Sequence, residues 1–219
     1  MGAVFIRKER GFWFIMLAIG VIGFAVAAWT VPDKGGHAFD NWAHDLLTEW
    51  RSEGMTAMLR LLSTLGSTAV IAGITLVGAG WFGYRYRWRY AAMLIGSVAA
   101  GFLLNTLLKK GFARVRPDTA WELAADGASF PSGNAMLGFV MFGMIIVILV
   151  RESSWSGWVK SVISIILALL ILLMGLSRIY FHVHYISDVL AGYSAGLAVL
   201  AATVLLASRA GRKRGAYTK

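Results

Sequence analysis

The chain has 219 residues, of which 58% are hydrophobic and only 15% charged, and its mean hydropathy is +0.67. That balance excludes an ordinary soluble domain and points to a chain lying mostly in lipid. The absence of cysteine removes any disulfide framework, and the formal charge of +10 has to be explained by where its lysines and arginines fall.

Runs free of Asp, Glu, Lys and Arg cover residues 11–32, 61–84, 90–108, 130–150, 161–177 and 189–208. Each is near the ~20 residues that cross a ~30 Å hydrocarbon layer. The predicted fold class is all-α, a six-transmembrane-helix bundle. The first run follows Arg7, Lys8 and Arg10. It is long and precedes further spans, so it reads as a retained helix and not a cleaved signal.

The first connection, Pro32 to Gly54, is the longest on its side. Its stretch from Ala38 to Trp50 places Phe39, Trp42, Leu46 and Trp50 at helical spacing, which predicts an amphipathic interfacial helix in the first outer loop. A structural lid over the bundle is the expected role. His37 and His44 within it are read as solvated polar residues, because no carboxylate pattern around them makes a metal site.

With six spans, both termini share a side. Arg7, Lys8 and Arg10, then Arg85, Arg87 and Arg89, then Arg151 and Lys160, and the tail Arg209, Arg212, Lys213, Arg214 and Lys219 all fall on one face. The positive-inside rule makes that face cytoplasmic. Of the acidic residues only Glu9 and Glu152 join it. The net charge is therefore a topology signal. Arg85-Tyr-Arg-Trp-Arg89 is a short turn with interfacial aromatics, so nucleic acid is not an expected partner. No internal repeat is present, and residues 1–219 are expected to form one integral-membrane domain. Pro32, Pro117 and Pro131 all fall in predicted outer segments, where they break no helix.

Three polar islands interrupt the apolar pattern. They are Lys109 to Pro117 (KKGFARVRP), Phe130 to Asn134 (FPSGN) and Ser177 to Asp188 (SRIYFHVHYISD). The first follows span three, the second opens span four, and the third joins spans five and six. Antiparallel hairpins bring all three to the outer membrane surface. Taken singly, Lys109, Lys110, Arg114 and Arg116 have a reading as snorkelling interfacial residues, and Arg178 with Asp188 as a structural ion pair. Clustered against the positive-inside bias and beside a histidine, they read instead as a polar cavity built to grip and attack a phosphate.

At this point the chain resembles the type-2 phosphatidic acid phosphatase (PAP2) superfamily of membrane lipid phosphatases, which is related to vanadium haloperoxidases and glucose-6-phosphatase. Lys109 with Arg116-Pro117 matches the first family motif, Pro131-Ser132-Gly133-Asn134 the second except at its last position, and Ser177-Arg178 with His184 and Asp188 the third. Lys109, Arg116 and Arg178 would be fixed cations for the equatorial phosphoryl oxygens, with no metal or other cofactor required. Gly133 lets the backbone approach closely. The Ser132 hydroxyl and the amides opening span four offer an anion site. His184 precedes Asp188 by one helical turn, so the carboxylate can hold one ring nitrogen and aim the other. The resemblance implies a phosphohistidine on His184, later hydrolysed by water. His182 has no Asp at that spacing and reads as a structural or rim histidine, and Lys110 and Arg114, one step off the motif, as interfacial.

In the family the last residue of the second motif is a histidine that protonates the leaving oxygen. Asn134 cannot exchange a proton near neutral pH, so a general-acid contribution of ~10²–10⁴-fold should vanish. An engineered substitution, a natural binder that has lost catalysis and an enzyme using another acid are the competing explanations; the first is favoured because every other motif residue is in place. The implied activity is hydrolysis of undecaprenyl pyrophosphate, phosphatidylglycerol phosphate or phosphatidic acid in a bacterial cell membrane, the site facing outward. The alternatives are a non-catalytic lipid-phosphate binding protein and a phosphotransferase to a sugar or lipid acceptor. The expected partners are the lipid substrate and the bilayer, with no obligatory protein partner.

Overall fold

The computed structural model describes residues 10–216 except 33, 34, 86, 119 and 124, with side chains described up to residue 209. Arg7, Lys8, Glu9, Asp33 and Lys219 lie outside the described residues, as do the side chains of Arg212, Lys213 and Arg214. Among the described residues eight helices run in chain order: α1 (Arg10–Trp29), α2 (Ala38–Glu49), α3 (Glu53–Leu65), α4 (Thr68–Tyr84), α5 (Trp88–Phe112), α6 (Gly133–Glu152), α7 (Gly157–Tyr180) and α8 (Ile186–Ala216). The described residues contain no strand. All three prolines lie between helices.

Among the described residues five helices are long and apolar enough to cross a membrane: α1, α5, α6, α7 and residues 186–209 of α8. The remaining predicted run, 61–84, is not one helix. It divides into the end of α3 and all of α4, bent by 58°. Ser67 takes an extended conformation and accepts a hydrogen bond from the Val70 amide, capping α4 and ending the continuity with α3. Gly66 sits so close to α6 and α7 that an added Cβ would lie 3.0 Å from both Asn134 Nδ2 and Met174 Cε. Glycine and serine are near neutral in hydropathy, so the apolar run carried no mark of the break.

Helix α6 is the centre of the bundle. Of its membrane-length window 61% is buried, against 6% for α1 at the periphery. Met136, Leu137, Val140, Met141 and Met144 pack with Ile71 of α4, Leu94 and Val98 of α5, Met174 of α7 and Leu200 of α8. A second cluster sits toward the other end, where Ala43 and Leu47 of α2 and Leu59 of α3 meet Tyr180, Phe181, Val183 and Val189. The lid reading of α2 agrees with this arrangement. Its aromatic face stays uncovered, Phe39 and Trp42 stacked and both exposed, while its opposite face is buried.

The basic turns share the far end of the bundle. Arg87 pairs with Glu152 at 3.9 Å, Arg89 donates to the Ala207 carbonyl, Lys160 donates to the Val150 carbonyl, and Arg151 lies over Trp13. These contacts tie the α4–α5 and α6–α7 turns to the start of α1 and the last third of α8.

Helix α1 packs backbone to backbone against α8 at Gly20. A Cβ there would meet Ala198 N at 2.6 Å and Ser194 O at 2.8 Å, both backbone atoms that cannot move aside. Gly20→Ala is expected to destabilise the bundle by about 1–3 kcal/mol. Gly73→Ala, where a Cβ meets nothing within 4 Å, should leave it unchanged or slightly more stable. Thermal melts of the two variants in one detergent check the difference.

Candidate active site

Helix ends and two loops build the site. The turn after α7 carries His184, and its path is set by Arg178, whose carbonyl accepts from the amides of both Val183 and His184 at 3.2 Å. His182 takes a left-handed conformation, φ 52°, to make this reversal. Helix α8 then begins, and Asp188 in its first turn reaches back to the His184 ring, its Oδ2 3.4 Å from Nδ1. The Asp188 carbonyl also accepts from the Ser132 amide at 3.0 Å, which pins the start of α6 to α8.

The chemistry of the partners decides the tautomer of His184. Arg116 can only donate, and its NH1 lies 3.2 Å from His184 Nε2, so Nε2 is the acceptor and Nδ1 carries the proton toward Asp188. Ser129, a residue the sequence motifs did not single out, donates its hydroxyl to Asp188 Oδ2 at 2.5 Å and lies 3.3 Å from Nδ1. The ring is almost fully buried. Burial first, then the positive charges of Arg178 and Arg116, push the His184 pKa down to about 3 against the hydrogen bond and charge of Asp188. The imidazole is therefore neutral near pH 7, with an unprotonated Nε2.

Cations surround it. Arg116, its own pKa lowered by burial, donates to the Val183 carbonyl at 2.6 Å and to the carbonyls of Gly127, Asp126 and Ala128. The Lys109 ammonium donates to that same Ala128 carbonyl, which brings the two ends of the first motif together. Arg178 NH1 donates to Ser63 Oγ at 2.5 Å. Arg178 Nε and Ser132 Oγ are among the buried polar atoms that have no partner within the described residues. Orphaned donors of this kind, next to a neutral imidazole and three cations, fit an anion with several oxygens. An open cavity of about 470 Å³ reaches Lys109 and Arg116 from outside and is floored by Gly127 and Ala128.

All the site residues named from the sequence, Lys109, Arg116, Ser132, Gly133, Asn134, Arg178, His184 and Asp188, thus gather at one end of the bundle. Gly133 faces Asn105, whose Oδ1 would stand 3.2 Å from an added Cβ. Asn134 donates its amide to the Ser63 carbonyl at 3.0 Å. The break after α3 leaves that carbonyl with no helical donor from Ser67, whose amide bonds Thr64 instead.

Three expectations need correction. Arg114 is not interfacial: it is 4% exposed and lies between two buried carboxylates, with NH1 2.6 Å from Asp188 Oδ1 and NH2 3.0 Å from Asp40 Oδ2. The partner of Asp188 in an ion pair is therefore Arg114 and not Arg178. His44 is not solvated either. It is buried, its Nε2 donates to the His184 carbonyl at 3.1 Å, and its ring stacks on His182 at 4.3 Å. His37 is half-buried, and its amide donates to Asp40 Oδ2. Lys110 is exposed, as expected. The missed residues had one sequence signal: Asp40 and His44 lie a helical turn apart on the face of α2 opposite its aromatics.

Residues 88–212 match the model of the PAP2 superfamily. The chain belongs to that superfamily. It is 36% identical over 148 residues to phosphatidylglycerophosphatase B of Bacillus subtilis, covering 68% of this chain and 71% of that protein. The fold matches the crystal structure of the first transmembrane PAP2-type phosphatidylglycerolphosphate phosphatase from Bacillus subtilis with a TM-score of 0.79 and 26% identity, over 90% of this chain and 96% of that one. It also matches LpxE of Aquifex aeolicus, TM-score 0.61 and 23% identity over 76% and 95% of the two chains, a likeness of fold. This PAP2 chain is a multi-pass membrane protein whose relatives are lipid phosphatases, which supports hydrolysis of a lipid phosphate.

The buried histidines set an acid limit on stability. His184 and His182 have folded pKa values pushed down, by burial above all, to about 3 and about 4 from 6.5. The unfolded chain therefore takes up protons first as pH falls, so stability present above pH 6.5 is lost progressively toward pH 4. Melting temperatures of the protein between pH 8 and pH 4 should fall along that range, and His182→Gln should flatten the slope.

Proposed function

We propose that this chain hydrolyses a lipid phosphate or lipid pyrophosphate through a phosphohistidine on His184. The observation that carries the reading is His184 itself, a neutral ring held by Asp188 through Nδ1, with Nε2 turned to the Arg116 guanidinium at 3.2 Å. In the reaction Nε2 attacks phosphorus, the bond to the leaving oxygen breaks, and a water then displaces the phosphoryl group from nitrogen as inorganic phosphate. Lys109, Arg116 and Arg178 exchange carbonyl and hydroxyl partners for phosphoryl oxygens, and Ser132 Oγ with the first amides of α6 completes the cradle. Asp188 stabilises the positive ring.

Asn134 stands where a proton donor to the leaving oxygen is expected in this family. Its amide can hydrogen-bond that oxygen but supplies no proton. An alkoxide leaving from a monoester needs that proton, whereas a lipid phosphate leaving from a pyrophosphate does not. A lipid pyrophosphate such as undecaprenyl pyrophosphate is therefore the substrate that this chain handles best. Phosphatidylglycerol phosphate, the substrate named for the Bacillus relatives, and phosphatidic acid are expected to be handled more slowly. An apolar groove of about 360 Å³ between α4 and α5, lined by Ile71, Leu76, Val98, Phe102 and Leu137, opens beside the α3–α4 break and suits the lipid tail. The basic turns at the far end of the bundle support cytoplasmic termini and an outward site. A second reading, a non-catalytic lipid-phosphate binder, is favoured only by the Asn134–Ser63 hydrogen bond, which occupies the donor position with a structural contact.

Phosphate release from the three lipids tests this. Asn134→His should raise monoester turnover by about 10²–10⁴-fold and pyrophosphate turnover far less, and His184→Asn should abolish both. Lipid binding without release, with residue 134 as either Asn or His, would leave the binder reading standing.

A further inference from the structure

We propose that Asp40, carried on the lid helix α2, is a positioning residue for chemistry at His184: it holds Arg114 and the first turn of α8 so that Asp188 keeps its line to the ring. The proposal rests on the reading of His184 as nucleophile and Asp188 as its orienter.

Asp40 is fully buried, and its carboxylate takes four donors. Oδ1 accepts from the Ser187 amide at 2.9 Å; Oδ2 accepts from the His37 amide, the Ser187 hydroxyl and Arg114 NH2, each at 3.0 Å. Two of these donors belong to Ser187, the residue before Asp188, so Asp40 caps from a distance the helix that carries the orienting carboxylate. A third, Arg114, makes its shortest contact with Asp188 itself, 2.6 Å, and also donates to Ser187 Oγ at 2.8 Å. One carboxylate on the lid therefore reaches Asp188 by two routes, through the backbone of α8 and through the shared guanidinium.

Holding the lid does not require a charge. Ala43 and Leu47 already seat α2 in the apolar cluster with Tyr180, Phe181 and Val183, and a buried carboxylate carries a desolvation cost that an apolar side chain would avoid. What the charge supplies is balance. Arg114 lies between Asp40 and Asp188, and with Asp40 neutral its whole charge falls on Asp188. The 3.4 Å approach of Asp188 to Nδ1 then competes with a full cation on the other oxygen. The ring is faced by Arg116 and Arg178, by Asp188, and by the Ser129 hydroxyl and the His44 ring nitrogen at its carbonyl. Asp40 is the acidic group that offsets the positive excess from behind Arg114.

The test uses the full chain in nanodiscs with Asp40→Asn, which keeps the shape and removes the charge, and Asp40→Glu, which keeps the charge. Asp45→Asn, on the exposed side of α2, is the control. With only four histidines in the chain, ¹⁵N-histidine NMR resolves the His184 ring directly, assigned by His184→Asn. Asp40→Asn should lower kcat on lipid pyrophosphate on the order of 10²-fold with KM changed by no more than about threefold. It should also weaken the Nδ1 proton signal of His184 and move the acid limb of the pH profile to lower pH. Asp40→Glu should recover part of each change, and Asp45→Asn should change none. Unaltered turnover in Asp40→Asn, or a loss of turnover with the His184 signal and pH profile unmoved, overturns the proposal. If Asp40→Asn does not fold, Ser187→Ala, which removes one Asp40 contact, must shift the same His184 signal or the proposal fails. A chain that releases phosphate from no lipid refutes the hydrolase reading, and the NMR comparison still decides the role of Asp40.

Discussion

A guanidinium with almost no exposure, placed between two carboxylates with none, is the constraint on which the outer end of this bundle depends. Arg114 comes from the loop after α5, Asp188 from the first turn of α8 and Asp40 from the lid helix, and none of the three can be left without the others. An unpaired charge at that depth costs several kcal/mol. The three segments therefore fold into place together. Ser129 bridges Asp188 to the loop, and its amide donates to the Arg114 carbonyl at 2.8 Å. The catalytic candidates are held by groups whose own charges require the assembly.

The helix break after α3 is the second organising feature. An uninterrupted span would satisfy its carbonyls internally. Interrupting it at Gly66 and Ser67 releases the Ser63 carbonyl to Asn134, while the Ser63 hydroxyl receives Arg178. One residue of α3 thereby touches both the second and the third motif. Such irregular backbone is tolerated because it lies against protein, with α6 and α7 packed over Gly66.

The candidate phosphate ligands are held by protein partners. Lys109 and Arg116 spend their donors on the carbonyls of residues 126–128, neutral dipoles that a doubly charged phosphoryl group outcompetes. Arg178 Nε and Ser132 Oγ have no partner among the described residues. The carbonyl contacts keep the cluster of cations from repelling itself apart, and under the proposed function they tie phosphate binding to the position of the 126–128 loop.

Hydrophobic runs and positively charged turns determined, from the sequence alone, that this is an all-α membrane bundle, because a bilayer demands a fixed length of apolar helix whatever its neighbours are. The convergence of Lys109, Arg116, Ser132, Gly133, Arg178, His184 and Asp188 at one end of the bundle was legible too: the resemblance to the family picked out the residues, and alternating helix direction brings their helix ends together. What stayed hidden was everything set by partners distant in the chain. Arg114 looked like an interfacial cation and His44 like a solvated polar residue, and no motif singled out Asp40, since nothing local links it to an arginine 74 residues away. The break in the second span was invisible because hydropathy averages over Gly66 and Ser67. Tertiary packing alone decided which charges were buried, for burial is a property of what covers a residue and the sequence names only the residue.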